Sequence, residues 1–396
     1  MTAGPISLAI FSNTQERGGA EEHILTLLRG LDRKFFRPHL ICSPEVAGKL
    51  QPDLPSDVAL YPLTLHSPFH WASAIRLAHY LRRQRVEILH SHLFYSSLFG
   101  SPIGRFCGVP VVIETPHLRE CWRKGLKGHF FVDRLIGRCV DYYIAVSHAN
   151  ARFLVQGKRL PARKVRTIHN GSDLRRFAPV ESSQPGLRAQ LGFAPDDLVL
   201  LAAARLEPQK GHCVLLDALP LVRRDFPNVR LVCLGDGALR GQLERQVRDL
   251  RLSDAVRFVG YQTDIPRWLS LADVTVLPSF FEGLPLIAIE SLAAERPMVA
   301  TAVDGTPEVI LDGRTGFTVP PGDAPSLAEA IGRLLRDPDL RRRFGRAGRS
   351  FVLEHFTQER QVAQTQQLYF DALRQRAARL FPAEGVVESG AAKAAG

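Results

Sequence analysis

Short apolar runs alternate along the chain with longer segments in which apolar residues recur every three or four positions. The short runs have the near-continuous apolarity of strands buried on both faces, and the longer segments have the period of helices that cover them. The pattern predicts strands over residues 7–11, 38–42, 88–91, 110–114 and 142–146, with helices near 20–31, 72–84, 96–107 and 130–139 between them. A second series places strands at 197–204, 229–234, 256–259, 274–277 and 298–300, again with helices between. Such alternation marks a doubly wound α/β fold, here present twice. Between the two series, residues 177–197 contain Pro179, Ser182, Ser183, Pro185, Gly186 and Pro195 and read as a linker. Beyond Leu327 the pattern is helical, with a basic amphipathic run at 340–349. The expected organisation is one domain over 1–180, a second over 190–356, a helix at 357–380 and a disordered small, polar tail at 381–396. Ligands on such sheets bind at the carboxyl ends of the strands, so two sheets predict a site in the cleft between them.

Composition adds exclusions. The 396 residues are 45% hydrophobic and 23% charged, which is ordinary globular usage and excludes a fibrous or fully disordered chain. No uninterrupted apolar stretch is long enough to span a membrane, and the first apolar run, 6–11, is too short for a signal peptide, so a cytosolic protein is expected. The six cysteines form no CxxC pair, which points to reduced thiols rather than zinc or disulfides.

Charge is uneven. The formal net charge is +11, but residues 1–180 hold 25 basic and 13 acidic residues, or +12, and the remainder hold 26 and 27, or −1. The basic excess therefore lies in the first half, which fits an anionic surface or acceptor meeting that half. Residues 118–138 interleave Arg119, Arg123, Lys124, Lys127, Arg134 and Arg138 with Trp122, Phe130, Phe131, Leu135 and Ile136. Such a run suits a membrane surface or a half-buried helix over the sheet.

The densest chemistry lies at Ser279-Phe280-Phe281-Glu282-Gly283-Leu284-Pro285, followed by Glu290. This segment leaves a strand and opens a helix near Pro285, whose free N–H groups suit a phosphate. Gly283 permits close backbone approach, and Glu282 and Glu290 flank the phosphate position, placed to accept hydrogen bonds from sugar and ribose hydroxyls. Arg205 and Lys210 follow the first strand of the second series and supply two fixed cations for a leaving diphosphate without a metal. Gly235 and Gly237 form a GxG turn, read as a close-packed turn against the nucleotide rather than a dinucleotide fingerprint. In the first half, Gly18 and Gly19 open a helix after the first strand and let backbone amides approach a phosphate or sugar. His117 sits at a strand's carboxyl end. His90 and His92 lack a third ligand at zinc spacing and read as cleft or core residues. Asp337-Pro338-Asp339 spells DxD but reads as a helix cap.

With these segments in place, the chain resembles the retaining glycosyltransferases of family 4, of GT-B type, over about residues 5–375. Phe281 to Pro285 with Glu290 matches the family's E-x7-E. Gly18-Gly19-Ala20-Glu21, Val146-Ser147, His169-Asn170-Gly171-Ser172-Asp173, Lys210-Gly211, Gly235-Asp236-Gly237 and Gly313-Arg314-Thr315-Gly316-Phe317 support it. The resemblance implies two Rossmann-like domains facing a cleft, an acceptor domain and then a donor domain, with the last helix crossing back onto the first. It implies that Arg205 and Lys210 bind the donor diphosphate, Glu290 the ribose and Glu282 a donor-sugar hydroxyl. The amides of Gly283 and Leu284 would assist at the phosphate, Gly18 and Gly19 would lie near it, and His117 would contact the donor sugar. Asp304 stands where the family often has the first of two glycines, a departure at the donor-sugar contacts.

The expected activity is sugar transfer from a nucleotide-sugar donor to an acceptor hydroxyl, with retention, for lipid-linked glycan, lipopolysaccharide or exopolysaccharide synthesis. No metal and no resident cofactor are expected. The expected acceptor is lipid-linked or a saccharide, met at the inner face of the plasma membrane. The alternatives are a nucleotide-sugar 2-epimerase on the same scaffold and a non-catalytic nucleotide-sugar-binding protein. A nucleic-acid partner is not expected, because no nucleic-acid module accompanies the basic charge.

Overall fold

The computed structural model describes residues 4–67, 69–118, 130–178 and 185–380. The first sheet is built from β1 (Ile6–Ser12), β2 (Phe36–Cys42), β3 (Ala59–Pro62), β4 (Ile88–His92), β5 (Val111–Thr115), β6 (Tyr142–Ala145) and β7 (Val165–Thr167). All are parallel, in the order β3-β2-β1-β4-β5-β6-β7. The second sheet contains β8 (Leu198–Ala203), β9 (Val229–Leu234), β10 (Val256–Phe258), β11 (Val274–Leu277), β12 (Met298–Thr301) and β13 (Gly316–Val319), in the order β10-β9-β8-β11-β12-β13. Parallel strands need crossovers, and the helices of those crossovers cover both faces of each sheet. This is why Leu8, Ala9, Ile10 and Phe11 are all fully buried although consecutive residues point to opposite faces.

Strand order reverses between β1 and β4 in the first sheet and between β8 and β11 in the second. The loops leaving these four strands therefore diverge and leave a crevice at their carboxyl ends. Those loops and the element ends they join carry Gly18 and Gly19, His92, Arg205 and Lys210, and Glu282.

The final helix, Gln358–Leu380, returns to the first sheet. Val362, Leu368, Tyr369 and Ala372 join the core formed by β1, β2 and the Gly19–Gly30 helix. The fully buried Tyr369 hydroxyl is 2.6 Å from His90 Nδ1, and the Tyr142 hydroxyl donates to Gln375 at 2.6 Å.

Three strands escape the apolar pattern. Of these, β3 is an edge strand with no fully buried residue, β7 has three residues, and β13 has four, beginning at Gly316. The segment read as linker also contains a short helix, Pro185–Gln190, and Leu187 and Phe193 from it and just after it pack into the second unit's core. Its Pro179, Ser182 and Ser183, the tail, and Arg119, Trp122, Arg123, Lys124 and Lys127 of the basic run lie outside the described residues. Asp337 caps the Pro338–His355 helix by accepting from the Leu340 amide at 2.8 Å, as the capping reading of the DxD string requires.

Candidate functional site

The loops after β8 and β11 lie side by side, and glycine makes that possible. Gly211 has φ +63°, and a Cβ there would meet the Pro278 carbonyl oxygen at 2.1 Å. Only glycine lets the Lys210 turn press against the outlet of β11. Lys210 Nζ consequently lies 2.6 Å from Glu282 Oε1. The same oxygen accepts from Ser279 Oγ at 2.6 Å, and the Glu282 amide donates to Asp304 Oδ2 at 2.9 Å. Glu282 is 5% exposed, so this is a largely dry ion pair. Asp304 holds its position at φ +45°, an uncommon conformation for a residue other than glycine.

Gly235 and Gly237 form a close-packed turn, as the sequence reading expects. Side chains at these positions would run into the carbonyl oxygens of Ala204 and Leu206, at 2.2 and 2.6 Å. The GxG turn therefore packs directly beneath the loop that carries Arg205. Arg205 itself is exposed and reaches across the cleft to 4.0 Å from Glu16 Oε2.

The helix after the Glu282 loop spans Leu286–Ala293, with Pro285 as its N-cap rather than in its first turn. Glu290 is the fifth residue of this helix. It is half-buried, and Ser172 Oγ lies 3.4 Å from its Oε1. Burial, reinforced by the negative charge of Glu22, pushes the Glu290 carboxyl up to about 7, against the opposing pull of Arg176 and Ser172.

This loop is also where the two halves of the molecule touch. A Cβ on Gly283 would fall 1.8 Å from the carbonyl oxygen of His117, and one on Gly305 would fall 2.1 Å from that of Gly283. The backbone at Gly283 is thus sandwiched between the first unit and the loop after β12. Asn170 Nδ2 donates to the Leu284 carbonyl at 3.0 Å. The buried His117 and Leu284 both lie at this junction.

His117 belongs to a cluster that the sequence reading does not assemble. His23, His90, His92 and His117 are all buried at the crevice of the first sheet. His92 Nδ1 lies 3.0 Å from His117 Nε2, and His90 Nε2 lies 2.7 Å from Thr115 Oγ1. His23 Nδ1 is 2.9 Å from Asn170 Oδ1 and 3.0 Å from Gln361 Nε2. Burial holds all four imidazoles below their usual pKa, His23 at about 4. Nitrogens of His23, His92 and His117 lie within 4.8 Å of one another, a set that leaves out His90 and draws His23 from the helix after β1 and His117 from the loop after β5. His92 Nε2 is buried without a hydrogen-bond partner, whereas His92 Nδ1, His117 Nε2 and His23 Nδ1 are engaged.

Gly18 departs from expectation in one respect. Its amide donates to Glu21 Oε2 at 2.9 Å, and Glu21 also accepts from Thr14 Oγ1 at 2.6 Å, so this N–H is committed within the chain. Gly19 does face the cleft, 3.9 Å from Leu286 Cδ1 when a Cβ is added.

Glu308 carries no marked signal in the sequence, yet it ties the halves together. It accepts from the amides of His148 and Ala149 at 2.9 and 2.8 Å and lies 3.0 Å from His169 Nε2. Burial raises its pKa, but the bonds from His169 and the two amides outweigh this and leave it below the usual carboxylate value. Its position four residues after Asp304 was the one available hint.

Two family models cover most of the chain: "Glycosyltransferase Family 4" matches residues 17–176 and "Glycosyl transferases group 1" matches residues 183–351. The chain belongs to glycosyltransferase family 4. A Bacillus subtilis protein named as the glycosyltransferase EpsD is 32% identical over 61% of this chain and 63% of its own length, so that match spans less than two thirds of the relative. An Escherichia coli UDP-Gal:alpha-D-GlcNAc-diphosphoundecaprenol alpha-1,3-galactosyltransferase is 26% identical over 76% of this chain and 79% of its own. Among solved structures, Anabaena HepE in complex with UDP and glucose superposes with a TM-score of 0.81 at 20% identity, covering 92% of this chain and all of that one. The two facing doubly wound units are therefore the GT-B fold of family 4. No helix among the described residues is long and apolar enough to cross a membrane.

Proposed function

We propose that this family 4 member transfers a sugar from a UDP-sugar to an acceptor hydroxyl with retention at the anomeric carbon. The observation that carries the reading is the Lys210–Glu282 pair beside the start of the Leu286–Ala293 helix, with Glu290 one turn within it. A diphosphate accepts hydrogen bonds from helix N–H groups and is drawn by the helix dipole and the cations Lys210 and Arg205. Glu282 is released from Lys210 as phosphate takes its place and accepts a donor-sugar hydroxyl. Glu290 accepts the ribose hydroxyls. UDP is favoured because both the HepE complex and the Escherichia coli galactosyltransferase carry it in their names.

In the reaction, the bond between the anomeric carbon and the diphosphate oxygen breaks. The acceptor oxygen bonds to the same face of the sugar, and its proton passes to the departing phosphate oxygen. Two fixed cations and the helix dipole hold the charge on that oxygen, so no metal is required. His117, next to the Gly283 backbone, lines the donor-sugar end. The diphosphoundecaprenol in the name of the Escherichia coli relative supports a lipid-linked acceptor.

The test is product analysis with UDP-sugars and polyprenyl-diphosphate saccharides, in EDTA, reading the anomeric configuration by NMR. The expected result is an α-linked product from an α-donor, with Lys210→Ala slowed roughly 10²–10³-fold. UDP release with a 2-epimerised sugar and no acceptor product would overturn the transfer reading.

A further inference from the structure

We propose that the outer face of the Trp71–Arg83 and Phe94–Phe106 helices docks on an anionic lipid bilayer. These helices cover the face of the first sheet opposite the one closed by the C-terminal helix. Their inner sides are ordinary core, with Leu77 and Leu81 buried. Their outer side is not an ordinary protein surface. Phe69 is 85% exposed, Trp71 70%, Ile75 61% and Phe106 80%. Of the twelve large apolar side chains left exposed among the described residues, seven lie on this helix layer or at its start, counting Phe131 and Leu135 on the adjoining Phe130–Ile136 helix. Single exposed apolar residues need no explanation, but a cluster of this kind marks an interaction surface.

Charge selects the partner. Arg76, Arg82, Arg83 and Arg85 are exposed on or just after the Trp71–Arg83 helix, whereas Arg105 is turned to Asp141 at 2.6 Å; the one acid over residues 58–113 is Glu87. Glu87 Oε2 is turned inward, accepting from the Ser7 amide at 3.1 Å. The Arg82 guanidinium lies over the Phe106 ring, 5.6 Å from its centroid, joining a cation and an aromatic at one spot. Exposed aromatics interleaved with arginine suit the headgroup region of a bilayer, where rings sit at the interface and cations meet anionic lipid. A protein partner of the same area would have to supply acids to match each arginine.

The orientation fits a use. In a parallel sheet the crossover helix starts at the carboxyl end of its strand, so Phe69, Trp71 and Ile75 lie at the rim of the cleft. Docking there brings the cleft mouth to the lipid surface, and an acceptor hydroxyl on a lipid carrier can enter without leaving the bilayer. The binding itself is independent of sugar transfer and is measured without donor.

The experiment is co-sedimentation of the full chain with vesicles of phosphatidylcholine alone and of phosphatidylcholine with phosphatidylglycerol, with Trp71 fluorescence as a second readout. Binding is expected to the anionic vesicles, weakened by salt, with a blue shift that Trp71→Phe removes. Removing two arginine contacts in an Arg76→Ser/Arg83→Ser variant should weaken binding roughly 30-fold, from about 1 kcal/mol for each. A Phe69→Ser/Trp71→Ser variant should weaken it by about tenfold or more. Both variants alter exposed residues outside the cleft and should melt and bind UDP as the parent does. Equal binding to neutral and anionic vesicles, or unchanged binding by both double variants, would overturn the proposal. So would a dimer that dissociates in these variants while neither vesicle is bound, which would make the face a protein interface.

Discussion

Lys210 and Glu282 are each other's main partner, with 16% and 5% of their side chains exposed. Removing either leaves the other charge in a nearly dry site, at a cost of about 3–5 kcal/mol. A Lys210→Ala variant should therefore lose thermal stability as well as turnover, and Glu282→Gln, which keeps the shape and an acceptor oxygen, should keep more of the stability while still losing activity. Melting curves set beside rates separate the two effects. Asp304 holds the Glu282 amide and does so at a strained φ. Asp304→Gly relieves that strain and frees the loop, so turnover should fall about tenfold, the worth of one charge-assisted bond, while stability changes little. Unchanged turnover would show that Asp304 does not position Glu282. Glu290 gives a pH signature. Its carboxyl titrates near 7, and ribose hydroxyls donate to the ionised form. UDP affinity should rise as pH increases through 7, and Glu290→Gln should flatten that rise. A parent profile as flat as the variant's would remove Glu290 from the ribose site.

At the scale of elements, the junction is a set of close backbone contacts. The 1.8 Å approach that a Cβ on Gly283 would make to His117 means that even alanine must push the halves apart. Gly283→Ala should leave each sheet folded but enlarge the radius of gyration in small-angle scattering and weaken donor binding. An unchanged radius with normal binding would show that the contact yields easily. The strands β1, β8 and β11 were legible because burial on both faces makes them near-continuous apolar runs, whereas β4 (Ile88–His92) carries only Ile88 and Leu89 as apolar residues. The edge strand at Ala59–Pro62 and the three-residue Val165–Thr167 were not, because neither is buried enough to leave a pattern. The E-x7-E segment was legible for a related reason: the glycine, proline and two glutamates are close in sequence. The histidine cluster was not. His23, His90, His92 and His117 come from a helix, a strand and a loop far apart in sequence, and Gln361 and Tyr369 reach them from the C-terminal helix. The commitment of the Gly18 amide to Glu21 likewise depends on a side chain folding back, which spacing does not reveal.

The whole molecule carries an acid sensitivity that follows from its buried imidazoles. His23, His39, His90, His92, His117 and His212 are all held below the ordinary 6.5, with burial the first cause in each. Once unfolded they take up protons as pH falls through 6.5, while the folded chain resists, so stability drops with acidification. Glu21, Glu114 and Glu290 act in the opposite sense, because the folded state keeps protons that the unfolded chain releases above 4.5. Six groups outweigh three, and the melting temperature should be lower at pH 5 than at pH 7 by roughly 5 °C or more. An equal or higher value at pH 5 would mean that the histidines are not buried neutral. The same cluster lies between the Gly283 loop and the returning helix, so acid should also weaken closure of the cleft. Above all of this stands one claim, that the cleft between the two sheets is a metal-independent UDP-sugar site read by Glu290 and Lys210. Calorimetric titration of UDP into the parent and Glu290→Ala, in EDTA, tests it most directly. The account predicts saturable binding by the parent and a loss of about 10–100-fold in the variant, the worth of hydrogen bonds to a carboxylate. No binding by the parent, or equal affinity in both, would contradict it.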